Sequence, residues 1–433
     1  MNADGARVRA AAARCVDAVL QGRSLKAVLA QERMPFEDSR DRGLLEAIAV
    51  DTVRHRRRLE FALSKFLEKP LPRNDLSTQS LLLTGLTQLH LLKLSEYAAV
   101  SETVEAARLL GIGGRAGLIN AVLRRSQREG LSESTDIAIQ ESHPDWLVGS
   151  LKADWPDDWS AIIRANNQIA PTWLRVNAAH GSRADAATAL RENAVEFMLP
   201  EFPESAILLQ TAIAPTRLPG WETGKITVQD QSAQLAAEAL SVKHGEMVWD
   251  MCAAPGGKSA QLLESRPAVL LLTDCAPARL DKIHELLCRL RLLNDGLAMR
   301  ALDATQALPV ELPQAFDAIL LDAPCSATGI IRRQPDVKWH RQAKDIGQLN
   351  SLQWRLLKNA WRHLKPGGRL LYSTCSILKS ENEVLIGQFL SKHADAGVLP
   401  LSPKFGRLSG AGRQRLPGED DGDGFFYALL TRA

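Results

Sequence analysis

Cysteine is scarce: the chain has six in 433 residues, at Cys15, Cys252, Cys275, Cys288, Cys325 and Cys375, and no two are spaced as C-x-x-C. That excludes a disulfide scaffold and a zinc ribbon, and individual thiols of this kind belong in a reducing compartment. Aromatics are only 5%, with three tyrosines, so the core must be mostly aliphatic. No stretch reaches the ~18 uninterrupted apolar residues of a membrane span. The best candidate, SLLLTGLTQLHLLKL, is broken by Thr84, Gln88, His90 and Lys93. The first twenty residues lack the apolar region of a secretory signal. Their arginines and alanines would suit a transit peptide, but Val8, Cys15 and Val19 share one helical face and Asp4 and Asp17 are acidic. A folded first helix and a cytoplasmic protein are therefore expected.

What is present is ordinary globular usage, 45% hydrophobic and 24% charged, in a length that suits two or three domains of ~150 residues. The net charge of +3 hides an asymmetry: residues 1–140 hold 21 Lys and Arg against 17 Asp and Glu, the rest 32 against 33. The excess includes the run Arg54, His55, Arg56, Arg57, Arg58 and the cluster Arg124, Arg125, Arg128. Such groups either neutralise phosphates or form a solvated helix face.

Three regions follow from the periodicity. Residues 1–140 read as all-helical, with apolar residues at three and four spacing in RCVDAVLQG, RGLLEAIAVDTVRHRRRLEFALSKFL, TQSLLLTGLTQLHLL and AGLINAVLRRSQ. Breaks are expected at Gly22, at Pro70 and Pro72, and at Gly111 to Gly114. Residues 141–235 read as a small α+β unit. Two helical stretches separated by Pro156 come first, then strands in PTWLRVNAA, AILLQ and KITVQ and a helix opened by Ser182. Residues 236–433 alternate apolar strands (MVWDMC, AVLLLTD, AFDAILLDAP, GRLLYSTC) with amphipathic helices, which predicts a Rossmann-like α/β domain with a mostly parallel sheet. GEDDGDG at 418–424 lacks the acid spacing of a calcium loop. It reads as an acidic surface loop before the strand FFYALL, and no metal site is expected.

The strongest local signal is VWDMCAAPGGKSAQLLE. A strand runs into Cys252, Ala253, Ala254, Pro255, Gly256, Gly257 and Lys258 and then into a helix. Such a turn lets a ligand approach the backbone closely, with helix N–H groups aimed at it. It is neither G-x-G-x-x-G nor a Walker loop. The next strand ends at Asp274, placed for the two hydroxyls of a ribose. One strand further on, Asp303 is placed for an adenine edge. Each Asp alone suits a helix N-cap; together with the turn they describe a pocket for an adenosine-containing ligand.

Two further strands end in Asp322-Ala323-Pro324-Cys325 and in Thr374-Cys375, so two thiols share the ligand edge of one sheet. A thiolate that adds to C6 of cytosine makes C5 nucleophilic enough to take a methyl group from a sulfonium donor. A base then removes the C5 proton and the thiol leaves. A positive site lowers the thiol pKa as this requires. Spacing alone does not say which thiol attacks. After the Pro-Cys pair, Arg332, Arg333, Lys338, Trp339 and Arg341 are expected to hold phosphates and stack a base.

CAAPGGK, DAPCSATG, STCS and RLPGEDDGDGFFYA in combination resemble the S-adenosylmethionine-dependent RNA cytosine-5 methyltransferases. The resemblance covers nearly the whole chain and is strongest to the bacterial ribosomal RNA small subunit methyltransferase B type, which modifies 16S rRNA. VSETVEAARLLGIGGRAGLINAVLRR resembles the NusB-like RNA-binding domain that precedes the catalytic domain in that type. The resemblance implies Cys252 to Lys258 as the S-adenosyl-L-methionine loop, Asp274 on the ribose and Asp303 near the adenine. It implies Asp322 near the methyl donor and the target base, Lys258 near the reacting base, Cys375 as nucleophile and Cys325 as the group that releases product. DNA cytosine-5 methyltransferases attack with the Pro-Cys thiol instead. One departure is the strand tip Asp274-Cys275-Ala276-Pro277, which leaves the ribose contact to Asp274 alone. The implied partner is 16S rRNA, with no membrane, and a monomer suffices. The same chemistry on tRNA or DNA, and a non-catalytic RNA-binding or assembly factor, are the alternatives.

Overall fold

The computed structural model describes residues 3–433; Met1 and Asn2, the head of the expected first helix, lie outside the described residues. The chain forms two compact units, one of Met1–Gln168 with Ile331–Gln342, the other of Ile169–Ile330 with Ala343–Ala433.

The first unit is helical: α1 (Ala3–Leu20), α2 (Leu25–Glu32), α3 (Ser39–Arg54), α4 (Arg56–Phe66), α5 (Leu76–Leu86), α6 (Glu96–Leu109), α7 (Ala116–Glu129), α8 (Ile137–Gln140), α9 (Asp145–Asp154) and α10 (Trp159–Asn166). As the 3.6 period predicts, Val8, Cys15 and Val19 of α1 are buried together against α2 and α3 residues such as Val28, Leu45 and Ile48. Where one helical stretch is expected across residues 42–67, the chain breaks at His55, which leaves helical geometry (φ −106, ψ 19). The reason is local: the Arg57 N–H donates to Ser142 Oγ at 2.9 Å and its guanidinium to the His143 carbonyl at 2.7 Å. These bonds also carry the helical unit past residue 140 and through α10.

The basic run is spent on this junction rather than on a phosphate surface. Arg54 is buried and pairs with Asp51, Arg56 pairs with Glu60, Arg57 with Asp145 and Arg58 with Glu133. The expected RNA-holding loop is corrected in the same way. Lys338 is 1% exposed, and its ammonium donates to the Arg54 carbonyl at 2.6 Å and to Asn167 Oδ1 at 3.1 Å. Trp339 donates to the Val53 carbonyl at 2.8 Å with Arg56 over its ring, the Asp336 carboxylate accepts from the Leu25 N–H, and the Arg332 carbonyl accepts from the Arg54 guanidinium. Read as a linear string Lys338 and Trp339 look like part of a phosphate clamp; folded, they close the helical core.

The second unit begins with β1 (Thr172–Val176), α11 (Arg183–Glu192), β2 (Phe197–Met198), β3 (Ala206–Leu209) and β4 (Ile226–Val228), a four-stranded antiparallel sheet ordered β2-β3-β1-β4. Ser182 opens α11 through a reciprocal capping box with Asp185. Then come α12 (Gln231–Leu240), β5 (Met247–Asp250), α13 (Gly257–Glu264), β6 (Val269–Asp274), α14 (Pro277–Arg289), β7 (Leu297–Ala301), β8 (Phe316–Asp322), α15 (Ala343–His363), β9 (Leu364–Thr374), α16 (Glu383–Lys392), β10 (Ala396–Val398), β11 (Arg407–Ser409), β12 (Gly412–Arg415) and β13 (Phe425–Arg432). The large sheet runs β11-β12-β13-β9-β8-β5-β6-β7, with β10 on β13. Five strands, β9-β8-β5-β6-β7, are parallel, and the C-terminal ones add antiparallel. Two aliphatic clusters pack its faces, one around Leu235, Leu270, Ile283 and Leu371, the other around Trp249, Ile319, Leu357 and Phe389. Among the described residues no helix is long and apolar enough to cross a membrane.

His143 gives the helical unit a pH dependence. It is fully buried, its Nδ1 lies 2.6 Å from the Glu141 carbonyl and its Nε2 3.3 Å from the Asn166 amide nitrogen. The carbonyl requires a donor at Nδ1 and the amide an acceptor at Nε2, which is the neutral ring. Burial, then the Lys338 charge, holds its pKa well below the ordinary value, and burial with Lys338, Arg54 and Arg58 brings His55 down to about 3. Because the unfolded chain binds these protons first, stability falls as pH drops from about 6.5 toward 3, by up to about 1.4 kcal/mol per pH unit for each histidine. Thermal melts of the full chain at pH 7 and pH 5 should show a lower midpoint in acid, and a His55→Gln/His143→Gln double variant should show a smaller difference. An undiminished slope in that variant contradicts the assignment.

Candidate active site

The carboxyl ends of the five parallel strands converge on one cavity of about 260 Å³. Small-molecule sites in open α/β sheets lie at this edge, where the strand order reverses, here on either side of β5. The wall is supplied by residues that close or follow these strands: Met251 and Cys252 after β5, Asp274 and Cys275 at β6, Leu302 and Asp303 after β7, Asp322 to Cys325 at β8, and Cys375 after β9. Leu352 and Leu356 of α15 add an apolar side. Seven residues singled out from the sequence therefore meet here: Cys252, Ala254, Asp274, Asp303, Asp322, Cys325 and Cys375. Ala253, Pro255, Gly256 and Gly257 build the turn and do not line the wall. Cys275, at the tip of β6, also lines it.

The turn needs its glycine. Gly256 caps α13 at φ +94, and a Cβ there would meet Ile283 at 3.0 Å. Beneath it Asp250 is buried, with Oδ2 accepting from Ser259 at 2.7 Å and Oδ1 without a partner. Burial raises its pKa to about 7 against the Ser259 bond. Asp274 is 4% exposed; it accepts from the Ala276 N–H at 3.1 Å and pairs with Arg279 at 3.3 Å. Asp303 is exposed and accepts from the Thr305 N–H at 2.9 Å, which lowers its pKa. Both acids thus cap local turns while facing the cavity.

Across from them, Lys258 donates to Asp322 Oδ2 at 2.6 Å, and Ser373, directly opposite Asp322 in the sheet, donates to Oδ1 at 3.1 Å. The Lys258 ammonium also lies 4.9 Å from the Phe425 ring centroid. Burial works against its charge, but Asp322, Cys375 and Asp250 outweigh burial and its pKa ends above the ordinary value. The sulfurs of Cys325 and Cys375 are 3.4 Å apart. The bond to Cys375, burial and the Glu381 charge all push the Cys325 thiol up, so Cys325 keeps its proton, and either sulfur can donate across the pair. Burial likewise keeps Cys252 a neutral thiol.

Known proteins can now be set beside this geometry. The family described as 16S rRNA methyltransferase RsmB/F matches residues 237–431, its ferredoxin-like domain 143–216, and the NusB family 6–128. A ribosomal RNA small subunit methyltransferase B of Xanthomonas campestris is 46% identical over all of this chain and 98% of its own, and that of Yersinia enterocolitica 40% over 98% of each. The chain belongs to the RsmB/F methyltransferase family. A methyltransferase homologue from Pyrococcus horikoshii, 30% identical over 68% of this chain and 97% of its own, superposes with a TM-score of 0.61. The protein PH0851, 23% identical over 99% of each chain, superposes with a TM-score of 0.85, a likeness of fold.

Sequence reasoning missed several parts of this RsmB/F site. Ser373, Arg279 and Phe425 carry no signal of their own; each is found only through the acid or cation that the fold sets against it. The acidic loop at 418–424 is also more than surface, because Gly422, Asp423 and Gly424 are buried. Gly424 donates to the Gly329 carbonyl at 2.8 Å, and Gly329 donates to the Cys375 carbonyl at 2.9 Å. A Cβ on Gly329 would run into the Gly424 backbone and lie 2.9 Å from the Cys375 oxygen. Gly329→Ala should therefore pry the two cysteine loops apart, costing about 1–3 kcal/mol, with a lower melting midpoint and at least about tenfold less methyl transfer. Gly347→Ala, where nothing lies within 4 Å of the added Cβ, is the neutral control. Wild-type melting and turnover in Gly329→Ala would refute the close joint.

Proposed function

We propose that this RsmB/F-family methyltransferase forms 5-methylcytosine in 16S rRNA, in the cytoplasm and as a monomer, through a transient bond between Cys375 and C6 of the target base. The observation that carries the reading is the pair of sulfurs 3.4 Å apart at the ends of adjacent parallel strands, with the Lys258–Asp322 pair close by. The 16S rRNA substrate is the one in the names of the Xanthomonas and Yersinia relatives.

The residues at the strand ends suit S-adenosylmethionine. Asp274 is nearly buried and, with one hydrogen bond and one ion pair already made, retains lone pairs for ribose hydroxyls. Asp303 stands on the neighbouring strand, and the orphan Asp250 Oδ1 lies at the base of the Gly256–Gly257 turn. When bound, the cofactor supplies an electrophilic methyl group on a sulfonium sulfur.

The chain's own groups divide the rest. Beside the Lys258 cation, which Asp322 holds, the Cys375 sulfur adds to C6 as its thiolate and makes C5 nucleophilic. Asp322, held by Lys258 and Ser373, positions the base or aids proton transfer. After methylation the C5 proton leaves to a base, the C6–S bond breaks, and Cys375 departs as thiolate. Cys325, the neighbouring sulfur, serves that release. The base must be unstacked to reach a thiol in the cavity wall, which favours single-stranded or splayed RNA.

Cys375→Ala should cost at least about a thousandfold in methyl incorporation into small-subunit RNA, with bisulfite mapping locating the product. Cys325→Ala should accumulate a covalent protein–RNA adduct on a denaturing gel. An adduct in Cys375→Ala instead would reverse the two roles, and no incorporation by the wild-type chain would favour a binding factor.

A further inference from the structure

The two cysteines are each bracketed by residues tied to one dipeptide, Glu381-Asn382. Glu381 is fully buried in the single turn Lys379–Glu381 ahead of α16. Its Oε1 accepts from the Ser326 N–H at 2.9 Å and from Gln353 Nε2 at 2.9 Å. Its Oε2 accepts from the Ser326 hydroxyl and from the Ser376 hydroxyl at 2.6 Å. Gln353 Nε2 also donates to the Pro324 carbonyl at 2.9 Å. The residue before Cys325 and the residue after it are therefore both held by this network. Asn382 does the same for Cys375: Oδ1 accepts from Thr374 Oγ1 at 2.6 Å, and Nδ2 donates to the Ser376 carbonyl at 2.9 Å.

The direction of these bonds is set by the charge. An ionised carboxylate only accepts, so both serine hydroxyls must turn their protons to it. Their oxygens are then free to accept, as Ser376 Oγ does from the Leu378 N–H at 3.0 Å. Four neutral donors around a buried carboxylate, with no cation paired to it among the described ion pairs, is a costly arrangement for packing alone. The Glu381 charge also adds to the forces that keep the Cys325 proton in place.

We propose that Glu381 is a positioning residue that sets the separation of the Cys325 and Cys375 sulfurs by holding the Pro-Cys and Thr-Cys loops on one carboxylate. This rests on the two-thiol chemistry proposed above, but the separation is measurable without RNA. Glu381→Gln keeps the size of the side chain and removes the charge that orders the hydroxyls.

The experiment compares wild type and Glu381→Gln in two assays. The first is the rate at which diamide closes a Cys325–Cys375 disulfide, mapped by peptide mass spectrometry. The second is steady-state methylation of small-subunit RNA. The expected result is closure slowed at least about tenfold and kcat lowered about 10–100-fold, with KM for RNA and the Kd for S-adenosylmethionine within about twofold of wild type. A folded Glu381→Gln with wild-type closure rate and kcat overturns the proposal, as does a loss confined to KM. Should Glu381→Gln fail to fold, Ser376→Ala decides: slower closure supports the proposal and an unchanged rate overturns it. If the wild-type chain makes no 5-methylcytosine, the functional reading fails, and the closure rates still decide the role of Glu381.

Discussion

The site depends on a backbone joint. Gly329 reaches the Cys375 carbonyl, Gly424 reaches the Gly329 carbonyl, and no side chain fits between them. Strands β8 and β9 are parallel neighbours, and they alone would bring Cys325 and Cys375 to the same edge of the sheet. Adjacency of strands leaves sulfurs free to differ by several ångströms, since each cysteine sits beyond the end of its strand. Two glycines remove that freedom by letting three chain segments touch. Gly424 is delivered by the turn before β13, so the antiparallel strand that adds to the five parallel ones is part of the active-site construction.

Electrostatics then separates groups that composition makes alike. Four thiols lie at or near the strand ends, yet their surroundings differ. Cys252 is half-buried beside acids and stays neutral. Cys325 is buried against a sulfur and a buried glutamate and stays protonated. Cys275 is exposed. Cys375 alone among them acts on the Lys258 ammonium, the one cation set against the reacting edge by Asp322 and Phe425. Two sulfurs 3.4 Å apart thus have different neighbours, a buried glutamate for one and the Lys258 ammonium for the other.

Much of this was legible before folding because the informative residues are tied to strand ends. An apolar strand that runs into Ala-Pro-Gly-Gly, or that stops at Asp or Pro-Cys, announces both its element and its exposed edge, so the cavity residues could be named by spacing. The short strands β10 to β12 and the burial of Gly422 to Gly424 were not legible, since Gly- and Arg-rich segments have no period and take their structure from the sheet edge they meet. Ser373 and Glu381 were invisible for another reason. A serine beside an acid in sequence means little; Ser373 matters because the register places it opposite Asp322. Glu381 reads as the first turn of a helix until its four donors are seen.

The basic string after the Pro-Cys pair failed most instructively. Charge in a linear sequence suggests solvent or phosphate, because an unpaired buried lysine is expensive. Burial does push the Lys338 pKa well down, but its nitrogen finds a carbonyl and an amide oxygen, and Trp339 finds a carbonyl for its N–H while its ring joins the aliphatic cluster of the helical unit. Asp336 supplies an acceptor for the first N–H of α2, and His340 meets the Val19 carbonyl at 3.0 Å. Twelve residues from the middle of the catalytic sequence thus complete hydrogen bonds at the ends of α1, α2 and α3. The helical unit is consequently no independent appendage: cut from the chain at residue 168, it would lose the ring, the ammonium and the carboxylate that satisfy its own helix ends.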